Sequence, residues 1–141
     1  MRILAVDYGD ARTGLASCDK YESIASPYGV IFEWNFEKCL QKVVNAVKET
    51  EAEQILVGLP INMDGSQGAR AQKCREFAEK IAEMTQIETV LWDERVTTVQ
   101  AIGILNANNV RGKKRKEVID AVAATLILES YLEYRKKKSA K

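Results

Sequence analysis

The chain contains no histidine. That absence removes histidine-dependent triads, histidine general bases and histidine metal ligands together. Cysteine is scarce as well. Cys18, Cys39 and Cys74 are odd in number and lack metal-ligand spacing, so they read as small buried apolar residues suited to a reducing cytosol. No stretch approaches the roughly 20 apolar residues of a membrane span. The N-terminus lacks a basic segment followed by a long apolar one, so a secretory signal is not expected. The expected setting is therefore cytoplasmic, with no membrane partner.

A strong net charge is missing too, since the total is only +1. The charge is unevenly placed, however. Residues 1–110 hold 11 Lys and Arg against 16 Asp and Glu, whereas residues 111–141 hold 10 against 4. The basic residues form two clusters, Arg111, Lys113, Lys114, Arg115 and Lys116, then Arg135, Lys136, Lys137, Lys138 and Lys141. Such clusters attract an anionic polymer through counterion release. The second also reads as a soluble tail. At 141 residues, 46% apolar and 29% charged, the chain is expected to form one soluble domain, 1–141, with a real core.

Strand and helix patterns alternate, which indicates an α/β fold. Strands are expected at about 2–7, 13–18 and 28–32, the last after a Ser26-Pro27 turn, and these three suggest an antiparallel meander. Apolar residues then recur at helical spacing from Phe36 to Val47. The run Ile55-Leu56-Val57-Gly58 reads as a strand covered on both faces, stopped by Pro60. A loop at 61–68, a helix at 69–85 and a strand at 87–92 follow. Thr97 with Gln100 gives a capping-box pattern for a further helix. Residues 106–114 read as a polar, basic loop, and a last helix is expected from about 116 to 136.

Three acidic sites, one of them a pair, fall where such a sheet could gather them. Asp7 ends the first apolar run and opens the turn Asp7-Tyr8-Gly9-Asp10-Ala11-Arg12-Thr13-Gly14. Asp93 and Glu94 end the fifth strand. Asp120 sits in an otherwise apolar stretch, with Ala123 and Ala124 at i+3 and i+4 on its face of the helix. Each has a plain structural alternative: a turn aspartate, a strand-end ion pair, or a first-turn acid paired with Lys116. A buried carboxylate needs something positive to hold it. Oxygen ligands without histidine favour Mg²⁺ or Mn²⁺ over Zn²⁺.

Four segments, in order and spacing, resemble the YqgF/RuvX family of Holliday junction resolvases. They are Asp7-Tyr8-Gly9 with Arg12-Thr13-Gly14; Val57-Gly58-Leu59-Pro60 with Asn62-Met63-Asp64-Gly65; Asp93-Glu94-Arg95 with Thr97-Thr98; and Asp120-Ala121 with Ala123-Ala124. The resemblance spans essentially the whole chain. It implies a ribonuclease-H-like fold: a five-stranded mixed sheet, made of a three-stranded antiparallel meander plus two parallel strands, flanked by helices. It also implies metal ligands and catalytic residues at Asp7, Glu94 and Asp120, with Asp93 the less favoured member of its pair; neighbouring strand residues face opposite ways, so only one of Asp93 and Glu94 is expected to face the metal. The resolvase RuvC offers two acids one turn apart on its final helix. Here the i+3 position is Ala123, so substrate phosphate or water would complete the coordination.

The expected activity is Mg²⁺- or Mn²⁺-dependent hydrolysis of nucleic-acid phosphodiesters, needing no side-chain nucleophile. Arg12, the loop from Asn62 to Gly68, and Arg111, Lys113, Lys114 and Arg115 are the expected contacts to phosphate. The family is named for four-way junctions, and its members are also implicated in maturing the 5′ end of precursor 16S ribosomal RNA. The partner is thus structured RNA or branched DNA, with a homodimer if junctions are cut symmetrically. Two alternatives are a non-catalytic nucleic-acid-binding module of the same fold and a nucleotide-binding actin-like fragment. The latter needs two such domains, more than 141 residues supply.

Overall fold

Strand β1 (Ile3–Asp7) is apolar at four successive positions because it lies at the centre of a sheet covered on both faces. The computed structural model describes residues 1–61, 64–93 and 112–139, with the backbone alone for 112–121 and 139. Strands β1, β2 (Arg12–Cys18), β3 (Ala25–Phe32), β4 (Gln54–Leu59) and β5 (Glu88–Asp93) form one sheet in the order β3-β2-β1-β4-β5. β3-β2-β1 is the antiparallel meander expected from the sequence, and β4 and β5 join parallel to β1.

Side-chain alternation divides the sheet residues between two faces. Leu4, Val6, Leu15, Ile55 and Val57 pack under helices α1 (Phe36–Thr50) and α2 (Ala69–Thr85), around the fully buried Phe77. Ile3, Ala5, Ala16, Cys18 and Leu56 face helix α3 (Gly112–Ser139), which contributes Ala124, Ile127, Leu128, Tyr131 and Leu132. Burying each large side chain stabilises the fold by about 1.5–3 kcal/mol. Cys18, Cys39 and Cys74 are all buried, as small apolar residues should be. No helix among the described residues is long and apolar enough to cross a membrane.

α1 begins and ends where its chemistry dictates. The Asn35 side chain accepts a hydrogen bond from the Lys38 amide at 2.9 Å, and Glu51 closes the helix in the left-handed region. The far end of α3 is fastened by the Arg135 guanidinium. It donates to both Glu22 oxygens, at 2.6 and 3.1 Å, while the N-terminal ammonium donates to the same carboxylate at 3.0 Å. Glu22 follows β2 at the amino edge of β1, so this contact fixes the direction in which α3 crosses the sheet.

Two expectations need correction. Ser26 and Pro27 are not a turn before the third strand; they lie within β3. Proline is tolerated there because β3 is an edge strand, and the ladder shifts register beside it, between Leu15 and Ala16. The last helix starts at Gly112 rather than near residue 116, so Lys113, Lys114 and Arg115 are helical, not loop residues. Lys and Arg are good helix formers, and their charge does not mark a loop. The helix expected from Thr97 and the remainder of the basic loop lie outside the described residues.

Candidate metal and phosphate site

The parallel strands β1, β4 and β5 bring their carboxyl ends to one edge of the sheet. Asp7, half-buried, pairs with Gly14 of β2. Val6 pairs with Val57, so on the other side Asp7 is level with Gly58, which pairs in turn with Trp92 of β5. Asp7, Gly14, Gly58 and Trp92 therefore form a row on the α3 face. Asp7 is flanked in the sheet by two glycines, and lies roughly 10 Å from the end of β5, two strands across. A carboxylate at the carboxyl end of the central strand, in a chain without histidine, is the kind of oxygen donor that suits a hard divalent cation.

Asp93 ends β5 level with Leu59 and is exposed. It shares the parity of Leu91, which packs towards α1 and α2, whereas Val90 and Trp92 pack towards α3. Asp93 thus lies on the face opposite Asp7. Glu94, Asn62 and Arg111 lie outside the described residues, as do the side chains of Lys113, Lys114, Arg115 and Asp120. Among the described residues no three acidic or thiol groups gather as a metal cluster. The structure describes one of the three expected ligand side chains, Asp7, together with Arg12. By the same parity Arg12 lies on the face of Asp7, two residues beyond Gly14.

The turn that follows Asp7 is held from both sides. Thr13, fully buried, accepts from the Gly9 amide at 3.3 Å and lies 3.5 Å from the Cys39 sulfur. Burial pushes the Cys39 thiol pKa up, so it stays neutral. A Cβ on Gly9 would stand 2.0 Å from the Arg12 carbonyl oxygen, a separation that only glycine avoids. Tyr8 turns inward and stacks on Phe77 with centroids 4.5 Å apart. From α2, Arg70 donates to Asp10 at 2.9 Å and to the Tyr8 carbonyl, and its guanidinium carbon lies 5.3 Å from the Tyr8 ring centroid. Lys73 donates to Asp10 at 3.1 Å. The Lys73 hydrogen bond and the Arg70 charge hold the Asp10 carboxyl below its usual range, and Asp10 is offset by two cations. The turn therefore presents no uncompensated acid at this point to an approaching phosphate.

Sequence reasoning overlooked Arg70 and Lys73. Their signal was a basic i, i+3 pair in the first turns of α2, which share one side of a helix. It also overlooked the flanking roles of Gly14 and Gly58, which emerge only from strand register. The described part of the loop before α2 is tightly turned. Asp64 accepts from the Ser66 amide at 2.9 Å and the Ser66 hydroxyl at 2.7 Å, and Gly65 has φ +90°. Gly68 then caps α2 without a side-chain acceptor, and no acid occupies the first turn. That arrangement suits an anion at the helix start.

The sequence matches the RuvX family, described as Holliday junction resolvase, over residues 1–134. A candidate pre-16S rRNA nuclease of Halothermothrix orenii is 43% identical over 137 residues, covering 97% of this chain and 98% of its own. One of Caldanaerobacter subterraneus subsp. tengcongensis is 42% identical over 138 residues, covering 96% and 99%. Among solved structures, T. thermophilus RuvC in complex with a Holliday junction substrate gives a TM-score of 0.63 at 12% identity, covering 97% of this chain and 96% of that one. The fowlpox virus Holliday junction resolvase gives 0.61 at 13% identity, covering 95% and 99%. At these identities the two structures establish the fold, which is the ribonuclease-H-like one expected from the sequence.

Proposed function

Because the chain belongs to the RuvX family of Holliday junction resolvases, we propose that it is a divalent-metal-dependent nuclease, with Asp7, Glu94 and Asp120 as its ligands. The observation that carries this reading is the placement of Asp7: at the carboxyl end of the central strand, on the α3 face, between Gly14 and Gly58. Side-chain alternation along β5 assigns Asp93 to the opposite face and so favours Glu94, the next residue, as the partner. α3 supports the third ligand. Its Arg135 end is fastened at the amino edge of β1, and Asp120 lies about 22 Å back along the helix. That distance is close to the length of strand from Met1 to Asp7, roughly 20 Å. Asp120 also stands four residues before Ala124, in register with the buried stripe of α3.

An ion held there would supply an activated water and neutralise charge on the leaving oxygen. The chain's own residues position the phosphodiester. Arg12 meets a phosphate beside Asp7, and the uncapped start of α2 offers backbone N–H groups to the next. Lys113, Lys114 and Arg115, in the opening turns of α3, attract the polyanion along the same edge.

Precursor 16S ribosomal RNA in the cytoplasm is the favoured substrate. The relatives at 42–43% identity are named for it, whereas the junction-bound structure is 12% identical. Four-way DNA junctions are the second reading, supported by the family description, and would require a homodimer. The test is cleavage of precursor 16S RNA and of a four-way junction side by side, with and without Mg²⁺. Mg²⁺-dependent cutting near the mature 5′ end of the RNA, with the junction left intact, is the expected result. Cutting of neither sinks the nuclease reading.

A further inference from the structure

Two large aromatic residues stand unprotected beside this site. Phe32 is 51% exposed and Trp34 is 81% exposed. Phe32 ends β3 and pairs with Arg12 across the ladder. Ile31 packs towards α1 and α2, so by alternation Phe32 shares the face of Arg12 and Asp7. From the strand spacing its backbone lies roughly 12 Å from that of Asp7, two strands across and two residues outward. Trp34 lies just beyond, on the connection to α1. That connection is held against the turn by a hydrogen bond from the Glu33 amide to the Ala11 carbonyl at 3.0 Å, and by a Glu33–Lys42 ion pair at 3.0 Å. Its backbone is thus fixed while its ring is open to solvent.

A single exposed aromatic needs no explanation. Two on one edge, next to an arginine and a half-buried carboxylate, form a surface with a flat apolar part and a cationic part. Unpaired nucleotides present the matching chemistry, a base face and a phosphate. We propose that Phe32 and Trp34 are a stacking platform for unpaired bases, a nucleotide or two from the phosphate that is cut. The platform rests on the nuclease reading for its substrate, and it adds a preference for sites where bases are splayed rather than paired. Arg12 holds the intervening phosphate while the rings hold the bases. Stacking tolerates any base, so the platform selects strand structure rather than sequence.

The experiment measures binding and cleavage separately, on a nucleic acid with unpaired nucleotides beside the cleavage position, using the full chain. Trp34→Ala is expected to weaken binding roughly 5- to 150-fold, the range for loss of one stacked base, while Trp34→Phe retains most of it. Phe32→Ala should act similarly. Exposure makes folding defects small for both. The deciding comparison uses abasic nucleotides at the unpaired positions. Abasic substrate should bind wild type and Trp34→Ala alike, because the stacking partner is gone from either side. An equal loss on Trp34→Ala with intact and abasic substrate overturns the proposal. So does a concentration-dependent dimer that Trp34→Ala disrupts, which would assign this edge of β3 to a second copy of the chain. Wild-type binding without cleavage in Mg²⁺ sinks the nuclease reading alone, since the abasic comparison stands on binding. Failure of wild type to bind overturns both.

Discussion

At Gly9 the chain has no freedom to carry a side chain. The turn from β1 to β2 brings the Arg12 carbonyl to within 2.0 Å of where a Cβ would stand. Gly9→Ala must therefore open the turn that aims Asp7 and Arg12. The expected outcome is a loss of about 1–3 kcal/mol in thermal or denaturant unfolding, accompanied by reduced nucleic-acid binding. Unchanged stability would mean that the turn relaxes without cost. A second residue-scale outcome concerns the end of β5. Parity sets Asp93 with Leu91 on the face away from Asp7. Glu94→Gln should abolish cleavage without unfolding, and Asp93→Asn should be milder. The reverse ranking in a cleavage assay would make Asp93 the ligand.

At the scale of elements, α3 has a basic beginning and a fastened end. No acid occupies its first turn to offset the helix dipole, and Lys113, Lys114 and Arg115 follow Gly112 directly. A polyanion satisfies both the side chains and the helix start. Replacing the three with Ala should weaken nucleic-acid binding and flatten the slope of log affinity against log salt. The change expected is about 0.9 per lost contact on duplex DNA and about 0.7 on single strands. An unchanged slope would place the substrate elsewhere. At the other end, the hydrogen bond from Arg135 holds the Glu22 carboxyl below its ordinary value of 4.5. A depressed carboxylate stabilises the fold above its ordinary pKa and ceases to do so as pH falls through the folded-state value. Glu22→Gln should thus lower stability near neutral pH, by about 0.2–1 kcal/mol, with the gap to wild type closing below pH 4.5. A gap that persisted in acid would show that the contribution of Glu22 is not ionic.

The elements readable from the sequence were those whose pattern comes from burial on one or two faces. α1, α2 and β4 fall at Phe36–Thr50, Ala69–Thr85 and Gln54–Leu59, because amphipathic spacing and an unbroken apolar run are each written locally. β3 was misread at its start because edge position, which makes Pro27 tolerable, is a property of the sheet and not of the segment. The start of α3 was misread because glycine and clustered charge suggest a loop when tertiary context is unknown. The site was legible in part for the same reason. Asp7 announces itself at the end of an apolar strand, but Gly14 and Gly58 become its neighbours only through register.

At the scale of the whole molecule, the parallel arrangement of β1, β4 and β5 is what makes a site. Three carboxyl ends share one edge, with α2 bracing the turn at Asp10 and α3 crossing the face that carries Asp7. The aromatic residues Phe32 and Trp34 extend that edge past Arg12. The central claim is that Asp7 works through a divalent ion at this edge. Its most direct measurement is the rate of cleavage of precursor 16S RNA against Mg²⁺ concentration, for wild type and for Asp7→Asn, with folding matched by circular dichroism. Wild type should rise from background to saturation as Mg²⁺ is added, while Asp7→Asn stays at the metal-free level. An Asp7→Asn protein that cleaves as wild type does, or a wild type equally active in a chelator, would contradict the claim.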